Sequence, residues 1–169
     1  MGTVTVERED SPLLKTLNNL KSGSVKVGWF PSARYDDEKS TPVAAVAAQN
    51  EYGNPNLNIP ERPFLRPAVA HNEKKWSAIG KRGLNAVLAG QSKVPDVLDL
   101  LGVTMREDIR HSIAQVYEPV LQPATIEARL ERGTHSGRLT KNQALGITKP
   151  LIDTSHMYDT VSFEIDGGV

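Results

Sequence analysis

The chain has 169 residues with 20 basic and 20 acidic side chains, so its formal net charge is zero. This length predicts one domain with a hydrophobic core of its own. The absence of cysteine excludes disulfides, zinc–thiolate sites and a cysteine nucleophile. No apolar run approaches the roughly 20 residues of a membrane span, and the even charge balance argues against a dedicated nucleic-acid binder, whose affinity rests on neutralising phosphates.

The first third of the chain is predicted to alternate short strands and helices. Residues 3–6 alternate as a strand does, and residues 11–23 carry a serine cap, an early proline and a terminal glycine, which together indicate a helix. Residues 24–30 form the next predicted strand. One apolar side of this strand is made of Val25, Val27 and Trp29. Thr41 is predicted to cap an alanine-rich helix that ends at Gly53, and because alanine allows close approach, we expect this helix to pack against the sheet.

Two long helices are predicted next. The first spans residues 67–88, where Trp76, Ile79, Gly83 and Val87 follow helical spacing. The second spans residues 94–116 and has the clearest amphipathic pattern in the chain, an apolar stripe at three- and four-residue steps. That stripe consists of Leu98, Leu101, Met105, Ile109, Ile113 and Val116.

The last third of the chain is polar and irregular. Only residues 124–133 are predicted to be helical there, with Gly133 as the stop. A turn capped by Asp153 or Thr154 is predicted to lead into a final strand. The apolar side of that strand consists of Val161, Phe163 and Ile165.

These elements predict an α+β fold, in which two long helices pack on a small, mostly antiparallel sheet. A single domain is expected to cover residues 1–169. Extended excursions or arms are expected to leave its core near residues 31–41, 54–66 and 118–150.

The segment DTSHMYD is the place where chemistry-bearing side chains cluster in the sequence. Asp153, His156 and Asp159 stand at three-residue steps, which a helix brings to one face, as in a metal site. The alternative is a capped turn whose other side chains face water. Ser155, His156 and Asp159 could also form a Ser–His–Asp hydrolase triad. However, the sequence has no signature of a nucleophile elbow or of an oxyanion hole. We therefore predict no catalytic residue, no metal and no cofactor.

The stretch IPERPFLRPA, residues 59–68, is the most distinctive feature of the sequence. Its prolines fix φ and remove backbone donors, which keeps it out of a sheet interior. A pre-ordered segment loses less entropy when it docks on a partner. Phe64 and Leu65 then offer apolar anchors, and Arg62 and Arg66 offer planar forks for carboxylates. The alternative is an internal loop that wraps its own domain, with Phe64 in its own core. The sequence leaves both open.

Several segments resemble, in order, the neck and tail-completion proteins of long-tailed bacteriophages, which are also called head–tail joining or tail-component proteins. The segments are VAAVAAQNEYGNP, IPERPFLRPA, a pair of long helices, YEPVLQPATIEARLERG and KPLIDTSHMYDTVSFEI. The resemblance covers residues 41–165, about three quarters of the chain. The chain departs from the family pattern where Asn50 replaces a histidine and Ser155 replaces a glycine, and its segment 133–148 is longer.

The resemblance implies a virion protein without catalysis that forms a ring between the head and the tail. Its expected partners are further copies of itself, adjacent head-completion or connector proteins, and tail-terminator or tail-tube proteins. DNA is expected to pass through the ring without specific binding. The expected location is the virion neck, and the host cytoplasm during assembly. The residues predicted to contact a neighbouring subunit or partner are Ile59, Arg62, Phe64, Leu65, Arg66, Leu121, Ile126 and Arg129.

Three other functions remain open at this point. A tail-terminator ring is the nearest alternative. A DNA-contacting module is the second, and it would use the four basic residues of the first long helix. They are Lys74, Lys75, Lys81 and Arg82. A hydrolase is the third.

Overall fold

The structure is a computed structural model that describes residues 23–135 and 147–166. The first predicted strand and the first predicted helix lie outside the described residues. So does the stretch 136–146 of the third predicted excursion.

The described chain forms two strands, five α-helices and one 3-10 turn. In chain order these are β1 (Ser24–Gly28), α1 (Val43–Tyr52), the 3-10 turn (Pro55–Leu57), α2 (Leu65–Leu88), α3 (Val94–Ala114), α4 (Pro123–His135), α5 (His156–Asp159) and β2 (Ser162–Asp166). No helix within residues 23–135 and 147–166 is both long enough and apolar enough to cross a membrane.

The sheet is a two-stranded antiparallel ribbon that pairs the two ends of the described chain. Val27 of β1 lies opposite Phe163 of β2. α3 packs against both strands and also against α2. The predicted α+β fold, with a small antiparallel sheet and two long packed helices, is therefore confirmed.

Glycines allow α3 to approach its neighbours closely. A Cβ on Gly102 would lie 2.2 Å from the ring of Phe163, so α3 meets the sheet where a side chain has no room. A Cβ on Gly83 of α2 would lie 2.2 Å from Val97, which places these two helices in tight contact. Asp108 of α3 adds polar contacts to the same helix pair, because it accepts hydrogen bonds from two α2 side chains, Lys75 at 2.5 Å and Trp76 at 2.7 Å.

The core lies where the first turns of α2 meet the last turns of α3. Its buried members are Val43, Ala47, Phe64, Ala68, Ile109, Ile113, Leu151, Met157 and Val161. The ring of Trp29 meets that of Phe64 edge to face, with 5.7 Å between the ring centres. The Trp29 indole N–H donates to the carbonyl of Met157 at 2.8 Å. The predicted stripe of α3 is confirmed in part by Ile109 and Ile113, which are buried.

Three predicted helix boundaries were wrong. α1 begins at Val43, and Thr41 does not cap it, because its backbone N–H and hydroxyl are both bound to Asp37. α2 begins at Leu65, ahead of the predicted residue 67. α4 continues through Gly133 to His135.

Candidate functional site

A surface cleft of about 860 Å³ lies beside the core and is lined by parts of all three predicted excursions. Four of the predicted contact residues line it, although they come from two distant segments of the chain. They are Ile59, Arg62, Leu121 and Arg129. We treat this cleft, called the arginine cleft below, as the candidate functional site.

The excursion 54–66 folds back on the end of α1 to form one wall of the arginine cleft. Asn54 and Ile59 pair as an isolated antiparallel bridge, with N···O distances of 2.8 and 3.0 Å. The backbone N–H of Arg62 donates to the carbonyl of Asn50 at 2.8 Å. Gly53 makes the turn possible, because its φ is 71° and a Cβ there would lie 2.9 Å from the backbone nitrogen of Glu61.

Glu51 fixes the point at which the proline-rich stretch becomes α2. Its carboxylate accepts the first free backbone N–H groups of the helix, from Phe64 at 2.7 Å, Leu65 at 2.8 Å and Arg66 at 3.0 Å. Burial alone would raise the pKa of Glu51, but these bonds and the Arg66 guanidinium outweigh it and hold the pKa below its ordinary value. The charged carboxylate therefore suits its buried position.

Arg62 is buried in the arginine cleft, and little of its positive charge is neutralised by nearby groups. The residue is 6% exposed, and its Nε donates to the carbonyl of Pro119 at 3.0 Å. Within the described part of the chain, Arg62 forms no ion pair. Burial, and secondly the charge of Arg129, lower the pKa of the Arg62 guanidinium. A buried cation beside a second cation is electrostatically costly unless an anion approaches it.

Arg129 lines the same cleft, but its side chain binds other segments of its own chain. Its Nε lies 3.5 Å from a carboxylate oxygen of Asp153. Its terminal nitrogens donate to four backbone carbonyls of the segment that follows the undescribed stretch. These belong to Ile147, Lys149, Pro150 and Ile152, at 2.8 to 3.3 Å. The contact prediction placed Arg129 at a partner surface, whereas in the structure it joins α4 to the chain's own core segment.

Asp153 and His156 line the cleft but do not form the metal site that their spacing suggested as one alternative. The His156 Nε2 lies 2.8 Å from the carbonyl oxygen of Arg34, and the imidazole stacks at a tilt on Tyr35 with 4.8 Å between ring centres. Within residues 23–135 and 147–166, no three His, Asp or Glu residues stand close enough to share a metal ion. The nearby Thr154 hydroxyl accepts from the His156 N–H at 3.4 Å, as the predicted capped turn requires.

The expectation that Phe64 is an exposed anchor was wrong. Phe64 is 1% exposed and belongs to the chain's own core, because it enters α2 facing Trp29 and the last turns of α3. For this side chain, the structure agrees with the alternative prediction of an internal loop that packs on its own domain. Leu65 is half-buried against the same core.

Arg66 and Ile126 also lie outside the arginine cleft. Arg66 has a half-exposed side chain that is paired with two carboxylates of its own chain, Glu51 and Glu61, and its guanidinium lies 5.1 Å from the ring centre of Tyr52. Ile126 is half-buried on α4. The contact role of both residues stays a prediction.

Two features of the site were missed by sequence reasoning. The first is the capping role of Glu51, because no sequence spacing rule connects this residue to α2. The only sign of that role in the sequence was an acidic residue shortly before the proline-rich stretch. Val120 and Leu57 both line the cleft, and their apolar side chains are 73% and 60% exposed. Their position near the prolines of two excursions was the only hint in the sequence that they line one cleft.

The fold defines the chain as a small α+β protein. Its described part has an open cleft with apolar side chains at the rim, and one arginine is buried in that cleft without a neutralising carboxylate. In comparisons with known proteins, no family model, no curated protein and no solved structure matched the chain.

Proposed function

We propose that the chain is a structural protein of the neck of a long-tailed bacteriophage, where its copies form a ring that joins the DNA-filled head to the tail. The observation that carries the proposal is the convergence at one cleft of two sequence segments, 59–62 and 119–129, that belong to the family-like series of motifs. A surface built by two such segments suits a partner-binding role better than either segment alone.

The arginine cleft suits the geometry that a ring demands. A ring is built from heterologous contacts, in which a surface on one copy binds a different surface on the next copy. The cleft is concave, has a volume of about 860 Å³ and carries exposed Val120 and Leu57 at its rim. It is therefore the proposed receiving surface, either for the next copy or for a head-completion, connector, tail-terminator or tail-tube protein.

The chemistry-bearing residues around the cleft make contacts within their own chain. His156 is engaged by Arg34 and Tyr35, and Asp153 is engaged by Arg129. These contacts hold the described loops around the cleft together. In the proposed function the protein works by binding in the virion, after assembly in the host cytoplasm.

The proposal is tested by removing the gene for this chain from a phage that carries it. We expect DNA-filled heads and finished tails of normal length that fail to join, and joining should return when the purified chain is added. Negative-stain images of the purified chain, or of the chain on isolated heads, are expected to contain rings. Normal joined virions without the chain would contradict the proposal.

The same experiment separates the tail-terminator alternative. Loss of a terminator gives tails of irregular length, because tube growth is not stopped, whereas loss of a neck protein leaves tail length unchanged. Tail length in the electron micrographs therefore decides between the two rings.

A DNA-contacting module is the second alternative, and a shallow depression on α2 favours it. Lys74 and Lys81 line that depression together with Glu73. Lys75 is paired with Asp108, which leaves fewer cations for phosphates. A DNA module is expected to bind random duplex DNA with an affinity that falls steeply as salt rises. The neck proposal expects no such binding.

A further inference from the structure

The Arg62 guanidinium has hydrogen-bonding capacity that the described protein does not use. A guanidinium carries five N–H donors in a planar fork. Among the described residues, only the Nε of Arg62 has a protein acceptor, the carbonyl of Pro119, and the terminal nitrogens have none there. The residue is more than nine-tenths buried and lines the arginine cleft, which places this guanidinium at the space that a ligand would fill.

We propose that the arginine cleft binds a carboxylate side chain carried on an extended, apolar-flanked protein segment, with Arg62 as the recognising group. The geometry suits a carboxylate, because two parallel N–H groups of a guanidinium match its two oxygens. This inference rests on the proposed function and specifies the binding partner. In the neck, the segment belongs to the neighbouring protein that enters the cleft.

The walls of the cleft favour a protein segment over a phosphate chain. Ile59, Pro60 and Leu121 offer apolar surface beside Arg62, which suits the side chains that flank a single carboxylate. Asp37 and Asp153 line the same cleft and repel a second or third negative charge. Arg62 can pair with one carboxylate, and Asp153 already pairs with Arg129, so the further negative charges of a polyanion such as a nucleic-acid backbone lack a lining cation to pair with among the described residues.

The test uses the full chain and defined probes. One capped tripeptide carries glutamate between two valines, and its matched control carries glutamine instead. The side-chain N–H resonance of Arg62 is followed by NMR during titration with each peptide, with inorganic phosphate and with a duplex oligonucleotide. We expect a saturable shift of that resonance with the glutamate peptide, and binding at least about tenfold weaker for the glutamine peptide.

Variants at two arginines make the test specific. Arg62→Gln should weaken the glutamate peptide by about tenfold or more, and Arg62→Lys should restore part of the affinity, because it keeps the charge and loses the fork. Arg82→Gln removes an exposed guanidinium on α2 and should leave binding unchanged. The comparison of the two peptides on the unaltered chain does not depend on whether the Arg62 variants fold.

Three results would overturn the inference. They are equal binding of the two peptides, tighter binding of phosphate or duplex than of the glutamate peptide, and an unshifted Arg62 resonance at saturation. Head–tail joining by the Arg62→Gln chain at the wild-type level would also overturn the neck occupant, while the proposed function itself fails only if joining proceeds without the chain.

Discussion

The Arg66 side chain donates two hydrogen bonds to Glu51, although the two residues belong to different helices. The Arg66 Nε donates to the Glu51 carboxylate at 2.9 Å, and its Nη2 donates to the Glu51 backbone carbonyl at 2.9 Å. The carboxylate is 3% exposed. Because it also accepts the first N–H groups of α2, Glu51 satisfies donors that every helix start leaves without an intrahelical partner. This contact fixes the end of α1 against the start of α2.

Replacement of Glu51 by glutamine should therefore destabilise the chain. The amide has one acceptor oxygen, and its NH₂ group faces backbone donors, so buried N–H groups lose their acceptor. We expect the free energy of unfolding to fall by about 1–3 kcal/mol, measured by urea denaturation. Glu61→Gln is the matched control, because it removes an exposed carboxylate paired with Arg66 and should cost no more than about 1 kcal/mol. Equal losses would contradict the buried role of Glu51.

The stabilisation by Glu51 should depend on pH with a defined sign. Its pKa is lower in the folded chain than the ordinary 4.5. A carboxyl with a lowered folded pKa contributes stability that is complete above its unfolded pKa and is lost as pH falls through the folded value. The difference in unfolding free energy between the wild type and Glu51→Gln should therefore shrink below pH 4.5. A difference that grows on acidification would contradict this assignment.

Truncation of Phe64 should act on stability. Phe64→Ala removes a ring that is 1% exposed and packed on Trp29. The resulting cavity should lower the free energy of unfolding by about 3–5 kcal/mol, measured by denaturation with tryptophan fluorescence. Leu57→Ala, at a side chain that is 60% exposed, is the control and should change stability by less than about 0.5 kcal/mol. An unchanged free energy of unfolding in Phe64→Ala would contradict the core role of Phe64.

A methyl group on Gly102 should disrupt the contact between α3 and the sheet. Its Cβ would lie 2.2 Å from the Phe163 ring, so the strand or the ring must move. We expect Gly102→Ala to cost about 1–3 kcal/mol in thermal or urea unfolding. Gly80→Ala is the matched control, because its nearest atom is 3.9 Å away, and alanine should stabilise α2 by about 0.5–1 kcal/mol. Recovery of stability in Gly102→Ala with Phe163→Ala would confirm the steric cause.

Arg129 should hold the segment 147–152 to α4. Arg129→Met keeps the apolar stem and removes the donors to four carbonyls, so buried acceptors lose their partners. We expect a loss of at least about 2 kcal/mol in unfolding free energy and faster hydrogen exchange in residues 147–152. Arg82→Met, at an exposed position of α2, should change neither. Unchanged exchange in the Arg129 variant would show that the core packing of Leu151 alone anchors the segment.

The regular elements could be predicted because their signals are local. The apolar stripe of α3 and the alternation of β1 and β2 each follow from spacing within one segment, and a helix or strand repeats that spacing. The helix boundaries were less predictable. α2 starts early because a carboxylate from α1 caps it, and α4 passes Gly133, where a glycine lowers helix propensity without forbidding the helix.

The amino-acid sequence was enough to predict the fold class, the two long helices, the antiparallel strands and the proline-rich stretch that carries two arginines. The surroundings of those arginines follow from tertiary contacts: Arg62 is buried beside Pro119, and Arg66 is half exposed and paired with Glu51. Secondary-structure propensity and hydrophobic periodicity depend on a few neighbouring residues. The hydrogen-bond acceptor of a long side chain, in contrast, can come from any distant segment that folding brings near. For that reason the arginine cleft, which joins residues from both halves of the chain, exists only in three dimensions.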